Sequence, residues 1–500
     1  MLDALLSGAS QALSWQGLLA SVLGVVIGLA ASALPGVTVS LGMILVLPLS
    51  FVLPPAVTWS MFLGLYAAGM TGGSFTAILL NIPGTPSASA TGIDGYKMAQ
   101  RGEAGAALAV SIWGSFLGGI ISWLCLVLIA PPLARVALSF GAPELFAIIL
   151  FGLTIISTFS QRSMLKGILA GILGLLVTTI GMDPITGTTR FTFDYVSLQG
   201  GVSFLPAMVG LFALPQILSG LSTRAQGFAL PPTARPKMFG TLRLMRGWEM
   251  IKALLVSSGI GTTIGIIPGV GAPVAVFVAY EYVKRLSRRA KRFGTGIPEG
   301  VVAPEAANNA VSGGAMVPML TLGIPGDTVT AVLLGAFLIQ GIQPGPTLFQ
   351  NHPDLVYAIF VGLLVANVIS MILSFWSLPI MLWASRVRPQ TLWPLVAVMC
   401  IVGSYSLRNS VFDAWVMLVF GIIGTLMNRF GLPVVPMVLG LVLGADLEEY
   451  FRMSLLIGRG DATVFFTRPV SLGFILISIG LVVWPLLRLV LRQRRRRLAS

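Results

Sequence analysis

Two short stretches of small polar residues interrupt an otherwise apolar chain, and they hold the side chains best suited to chemistry. The first, Thr71–Ala90, carries Ser74, Thr76, Asn81, Thr85 and Ser87 around Pro83-Gly84. The second, Pro304–Thr330, carries Asn308, Asn309, Thr321 and Thr328 around Pro325-Gly326. Hydroxyls and amides of this kind hydrogen-bond an oxygen-rich solute without burying a net charge. Two acids stand among them, Glu305 and Asp327, and an acid in apolar surroundings is a candidate seat for a coupling cation or proton. Neither stretch contains Lys or Arg. An anionic solute there would be met by helix ends and neutral donors.

Pro-Gly inside an apolar segment breaks a helix and frees backbone groups. Pro35-Gly36 and Pro268-Gly269 are two further breaks of this type. Irregular backbone is tolerated at membrane depth only when it is buried in protein or lines a wet cavity. A competing reading is that small residues merely let helices approach. For Gly24/Gly28 and Gly114/Gly118, both spaced as GxxxG, close packing is the better reading. Four further acids read as solvent-facing. Asp94 fits a solvated helix start beside Lys97, and Asp446, Glu448 and Glu449 fit a water-facing loop. A water-accessible position suits Glu305 as well as a cation seat does.

Enzyme chemistry finds little support. The chain has one histidine, His352, in an Asn-His-Pro loop, which argues against a histidine metal cluster or a Ser/His pair. No GxxxxGK[ST] loop occurs, so ATP hydrolysis by the chain itself is not expected. Gly294-Thr295-Gly296 lacks the context of a dinucleotide fingerprint. No cofactor is expected beyond a coupling ion, Na⁺ or H⁺.

The elements that position these residues must lie in a membrane. The chain is 500 residues long, 56% hydrophobic and only 10% charged, against about 25% charged in soluble domains. Its mean hydropathy is +0.92. The net charge of +14 would suggest nucleic acid in a soluble protein. Here 18 of 31 cations fall in three clusters, Arg224–Lys252, Lys284–Arg292 and Arg488–Arg497, beside apolar spans. Such clusters mark cytoplasmic loops and a cytoplasmic C-terminus, so nucleic acid is not an expected partner. Cys125 and Cys400 sit in apolar runs and read as packing residues. The N-terminus lacks a basic region before its first span, as a retained helix would. The expected fold is all-α and polytopic, with about 12 transmembrane or re-entrant helices.

An internal repeat organises these spans. Gly28 and Leu34-Pro35-Gly36-Val37 recur as Gly261 and Ile267-Pro268-Gly269-Val270, with seven residues from Gly to Pro in both. Gly72-Gly73-Ser74 leading to Ile82-Pro83-Gly84 recurs as Gly313-Gly314-Ala315 leading to Ile324-Pro325-Gly326. Charge orients the copies. Phe51–Thr58 has no cation, whereas the equivalent loop of the second copy carries Lys284–Arg292. After the second Pro-Gly the bias reverses, with Lys97 and Arg101 in the first copy and no Lys or Arg in Gly341–His352. Equivalent loops therefore prefer opposite sides, as in inverted-topology repeats of secondary transporters. The expected organisation is a first repeat over 1–221, a basic cytoplasmic linker over 222–250, a second repeat over 251–445, and a final helix with a basic tail over 446–500.

These motifs resemble the large membrane subunit of tripartite tricarboxylate transporters. The resemblance rests on Leu34-Pro35-Gly36, the run Gly72–Gly84, and Asp94-Gly95-Tyr96. In the second half it rests on Pro268-Gly269, Glu299-Gly300-Val301, the run Ala303–Ala310, Leu322–Gly326 and Gly345-Pro346. It extends from about Leu18 to beyond Phe349 and fits the full length. Lys97 departs from the proline expected after Asp-Gly-Tyr. The resemblance implies a bacterial inner-membrane importer of citrate or related carboxylates, driven by an ion gradient. It also implies two partners, a periplasmic solute-binding protein and a small transmembrane subunit. A homodimer is left open, as is a symporter or channel that needs no binding protein. Substrate is expected between the two Pro-Gly tips at Ser74, Thr76, Asn81, Pro83, Gly84, Thr85, Ser87, Asn308, Asn309, Pro325, Gly326 and Thr328.

Overall fold

The computed structural model describes residues 2–34, 37–158, 164–183, 185–221, 247–377, 389–406 and 408–498, together with 236, 238, 245 and 379. Pro35-Gly36 and most of the basic linker lie outside the described residues, as do the side chains of the C-terminal basic cluster.

The elements in chain order are α1 (Leu2–Ala12), α2 (Trp15–Ala33), α3 (Val39–Val46), α4 (Pro55–Leu80), α5 (Ser89–Gln100) and α6 (Ala104–Ala137). Then come α7 (Ala142–Thr158), α8 (Met164–Thr178), a two-residue ladder of β1 (Gly181–Met182) with β2 (Thr189–Arg190), α9 (Val196–Gln199) and α10 (Phe204–Leu221). The second half contains α11 (Trp248–Ile266), α12 (Gly271–Leu286), α13 (Pro298–Leu322), α14 (Thr328–Ile339), α15 (Leu348–Asn351), α16 (Pro353–Trp376) and α17 (Pro389–Ser406). The chain closes with α18 (Val411–Phe430), α19 (Val434–Ile457), α20 (Val464–Thr467) and α21 (Pro469–Leu498).

This is an all-α polytopic membrane protein. Among the described residues, seven helices are long and apolar enough to cross a membrane: α2, α4, α6, α10, α11, α16 and α18. Helices dominate because each satisfies its own backbone hydrogen bonds, as a lipid environment demands. The polar stretches do not form separate loops. Thr71–Leu80 is the end of α4, and α13 runs on through Pro304 and Pro318. Burial explains why: nearly all of both helices is covered by protein, so their small polar residues face neighbouring helices rather than lipid.

The chain divides into two compact units, Met1–Arg135 with Gln216–Asn409, and Val136–Pro215 with Ser410–Ser500. The first unit holds both Pro-Gly segments. Its backbone is set by two tight helix pairs, α2 with α4 and α11 with α13. Small residues permit these approaches, since membrane helices associate through packing rather than through the hydrophobic effect. A Cβ on Gly28 would lie 2.5 Å from the Leu65 carbonyl oxygen, and one on Gly261 would lie 2.3 Å from that of Ala307. The GxxxG reading of Gly24/Gly28 and Gly114/Gly118 agrees with this, because Gly24 faces the Met61 backbone and Gly118 that of Ala306.

These contacts revise the register of the repeat by one residue. Gly72 faces Leu29 and Ser32 of α2, while Gly314 faces Thr262 and Gly265 of α11. Gly84 lies against Gly73, and Gly326 against Ala315. The structural partners are thus Gly72 with Gly314 and Gly73 with Ala315. Matching Gly-Gly to Gly-Gly by residue type misses this, because what recurs is the face turned to the neighbouring helix.

The second unit contains α7, α8, the β-hairpin, α18, α19 and α21. Asp446, Glu448 and Glu449 lie within α19, not in a loop. Glu448 pairs with Arg190 at 2.6 Å and Arg452 at 3.2 Å, and Arg452 also holds Asp183 at 2.7 Å. Helix is favoured there because Glu448 and Arg452, one turn apart, pair along one face.

Candidate functional site

Both Pro-Gly tips are built the same way. α4 ends on Asn81, held at φ 55°, whose N–H donates to the Ala77 carbonyl at 3.1 Å. The Ile82 N–H then reaches the Thr76 carbonyl at 3.4 Å. α13 ends on Gly323 at φ 71°, with the matching bonds Gly323 to Met319 at 3.1 Å and Ile324 to Pro318 at 3.2 Å. This is the left-handed stop that glycine and asparagine adopt most readily. After it, each proline forbids further helix and turns the chain back along the helix it has just left. The Gly84 N–H donates to the Gly73 carbonyl at 3.2 Å. In the second tip the Gly326 carbonyl accepts from Gly269 N–H at 2.8 Å, which joins both Pro-Gly elements of that half. Pro268-Gly269 does break the helix there, between α11 and α12, with Gly269 at φ 77°.

The tips differ in their caps. Asp327 is the N-cap of α14: its Oδ1 accepts from Thr330 N–H at 2.8 Å, and the Thr330 hydroxyl accepts from Asp327 N–H at 2.9 Å. Its other oxygen, Oδ2, accepts from the Tyr66 hydroxyl at 2.7 Å. The helix end that was expected to be open to an anion is therefore already capped by a carboxylate. At the first tip Thr85 makes no such cap, and its hydroxyl instead pairs with that of Ser87 at 3.2 Å.

α4 and α13 meet between these two tips. The Asn308 amide donates to the Met70 carbonyl at 2.7 Å, and the Thr71 hydroxyl donates to Asn309 Oδ1 at 3.3 Å. Thr85 folds back against Gly73 and Asp327 lies against Tyr66. Tyr66 and Gly73 stand on one helix, about 10 Å apart along its axis. A small cavity beside the crossing is lined by Thr71, Ser115, Asn309, Asn367 and Ser370 with Ile112, Phe116 and Met371. Asn308 Oδ1 is buried with no hydrogen-bond partner.

Glu305 is wholly buried in the middle of α13, not in a water-accessible loop. Thr91 of α5 donates to its Oε1 at 2.5 Å and Ser115 of α6 to its Oε2 at 2.8 Å. Ser74 and Ser111, hydrogen-bonded to each other at 2.8 Å, complete this hydroxyl shell. Ser74 also donates to the Thr71 carbonyl at 2.7 Å within α4.

The other sequence-selected residues are placed as follows. Thr76 bonds back to the Gly73 carbonyl within α4, at 3.3 Å. Asn81 and Pro83 are exposed, whereas Gly84, Thr85 and Ser87 are buried. Pro325 and Gly326 are buried, and Thr328 is half-buried at the start of α14. Thr321 bonds back to the Val317 carbonyl at 2.7 Å.

Asp94 is not a solvated helix start. It is wholly buried within α5, where it accepts from the backbone N–H groups of Gly294, Gly296 and Ile297 at 2.6–3.1 Å and from the Tyr280 hydroxyl at 2.7 Å. Lys97 and Arg101 bind carbonyls of the same loop, those of Gly294, Thr295 and Gly296. The physical reason is the loop itself, whose turned amides offer a concave nest for one carboxylate. Gly294-Thr295-Gly296 is thereby explained as a receptor for Asp94.

Tyr66, Thr71, Thr91, Ser111 and Ser115 escaped the sequence reading. Ser111 and Ser115 carried one usable signal, an i,i+4 spacing on one face of an apolar helix. Tyr66 and Thr91 carried none, since their partners are 261 and 214 residues away.

The family model described as "Tripartite tricarboxylate transporter TctA family" matches residues 18–439. The chain belongs to this family. A transporter family is consistent with the absence of enzyme motifs in the sequence. Two relatives come from Agrobacterium vitis. The "Uncharacterized 52.8 kDa protein in TAR-I ttuC' 3'region" is 37% identical over 481 residues, covering 94% of this chain and 93% of the relative. The "Uncharacterized protein in TAR-II ttuC' 3'region" is 39% identical over 234 residues, covering 46% of this chain and 96% of the relative. No solved structure matches. Members of this family work in a tripartite system with a binding protein and a small subunit.

Proposed function

We propose that this chain is the permease subunit of a binding-protein-dependent secondary transporter. It imports citrate or a related carboxylate across the bacterial inner membrane by cation-coupled alternating access. Its partners are a periplasmic solute-binding protein and a small transmembrane subunit, and its C-terminus is cytoplasmic. The two Pro-Gly halves act as inverted-topology repeats, as the opposite charge bias of their loops suggests.

One observation carries this reading. Two helix-breaking tips fold back toward a single crossing of α4 and α13, between Met70/Thr71 and Asn308/Asn309. Broken helices of this kind at membrane depth form the solute sites of many secondary transporters. The carboxylate sits at the first tip, where Thr85 leaves its turn uncapped, because the second is occupied by Asp327. Asn308 Oδ1 stands ready to accept a hydrogen bond from a solute hydroxyl. Glu305 and Asp327 are the candidate coupling groups.

The test is uptake of radiolabelled citrate and of smaller hydroxy acids into vesicles carrying the full chain. It is run with and without the proteins encoded beside it. Thr85→Ala and Asn308→Ala should each cut uptake by about tenfold, the loss of one buried hydrogen bond to a charged or polar solute. Full uptake in both variants overturns the site. Saturable, gradient-driven uptake without a binding protein favours a self-sufficient symporter, and non-saturating flux a channel.

A further inference from the structure

Glu305 presents an unbalanced charge. It is wholly buried, and among the described residues its carboxylate hydrogen-bonds to hydroxyls alone, those of Thr91 at 2.5 Å and Ser115 at 2.8 Å, with the Ser74–Ser111 pair beside them. Among the described residues no lysine, arginine or histidine bonds to it. Three ionisable groups of α4, α5 and α13 are engaged elsewhere. Tyr66 bonds Asp327, Asp94 bonds Tyr280 and the 294–297 loop, and Glu299 pairs with Arg289 at 3.1 Å. An isolated carboxylate in such surroundings is too costly to keep uncompensated.

We infer that Glu305, with the hydroxyls of Thr91, Ser115, Ser74 and Ser111, is the seat of one monovalent cation, Na⁺ or H⁺, and that Asp327 is not. The charge count supports monovalence, since one carboxylate faces neutral oxygens and no cluster of three His, Cys, Asp or Glu exists among the described residues. Divalent sites are built from several carboxylates. Asp327 has a different occupation. Three donors, Thr330 N–H, the Thr330 hydroxyl and the Tyr66 hydroxyl, already hold it as a helix cap.

The seat is joined to the proposed solute site at two points. Thr91 belongs to α5, the helix that follows the Pro83-Gly84 tip. A cation drawn between Glu305 and Thr91 would hold that tip's helix against α13. Ser115 also lines the small cavity with Thr71 and Asn309, and the Asn309 amide donates to the Glu305 carbonyl at 3.4 Å. The cation would thus be sensed at the α4–α13 crossing. This inference rests on the transporter reading for its role in coupling but not for the binding itself.

The experiment uses the full-length chain in lipid nanodiscs, with Na⁺ alone and with protons alone as probes, and no carboxylate. Binding of ²²Na⁺ and the infrared band of a protonated carboxyl are followed from about pH 5 to about pH 9. Wild type should show one of two signals: Na⁺ binding that Glu305→Gln weakens by about tenfold or more, or a carboxyl band that Glu305→Gln removes. The first outcome assigns Na⁺ and the second a proton. Should Glu305→Gln fail to assemble, Thr91→Val and Ser115→Ala keep the carboxylate and should each weaken the same signal several-fold. Equal signals in wild type and all variants overturn the inference, as does loss of Na⁺ binding in Asp327→Asn alone. Because no carboxylate is present, failure of the carboxylate reading would leave this result standing.

Discussion

The Tyr66 hydroxyl donates to Asp327 Oδ2 at 2.7 Å, tying the middle of α4 to the cap of the second Pro-Gly tip. Tyr66→Phe leaves that carboxylate oxygen buried with one donor fewer. The expected loss is about 1–3 kcal/mol, read as a lower unfolding temperature of the purified protein. Asp327→Asn should lose less than Asp327→Ala, because asparagine still caps, and the alanine variant should forfeit about 0.5–2 kcal/mol of cap energy. Equal stability of Asp327→Ala and wild type would show that the cap does not hold the tip.

Each tip should also fail when its glycine gains a methyl group. A Cβ on Gly84 would sit 2.0 Å from the Ser32 carbonyl oxygen, and one on Gly326 would sit 2.5 Å from that of Gly265. Both obstacles are backbone, so the tip itself must move. Gly84→Ala and Gly326→Ala should each cost about 1–3 kcal/mol through overpacking and lower uptake sharply. Gly102→Ala meets no atom within 4 Å and controls for loss of glycine alone, although its φ of 83° adds backbone strain.

Acid stability should depend on the second unit. Asp183 is held well below the usual carboxylate range by its hydrogen bond from Arg452, helped by the Ile185 and Thr186 N–H groups. A depressed native value means that the contribution is complete above the unfolded value of about 3.9. It is lost as pH falls from there through the native value. Arg452→Met should therefore weaken this unit at neutral pH and move its acid unfolding to higher pH. Thermal melts from about pH 7 down to about pH 1 would check this, and parallel acid limbs for variant and wild type would contradict it.

Much of the fold was legible because membrane helices obey local rules. Composition excluded a soluble protein, and the expectation of apolar helices fits the seven that are long and apolar enough to cross a membrane among the described residues. Matched Gly and Pro spacing revealed both tips, since helix stops depend on only a few adjacent residues. Places where local reading failed share one cause. Thr71–Leu80 and Pro304–Leu322 stood out as polar interruptions because polarity was counted along the chain, whereas in the fold they are continuous helix buried among other helices. Asp94 looked solvated because its neighbour Lys97 is charged, yet its donors come from a loop some 200 residues on.

The sequence by itself determined the membrane setting, the helical class, the pair of Pro-Gly tips and the family. Each of these follows from composition or from short spacings. Only the tertiary structure decided which acid is a helix cap and which stands among bare hydroxyls. Asp327 and Glu305 look alike as letters in apolar surroundings. They differ because packing brings Thr330 and Tyr66 to one, and Thr91 and Ser115 to the other. A buried carboxylate's role is set by its partners, and apart from Thr330 these partners come from helices remote in the chain.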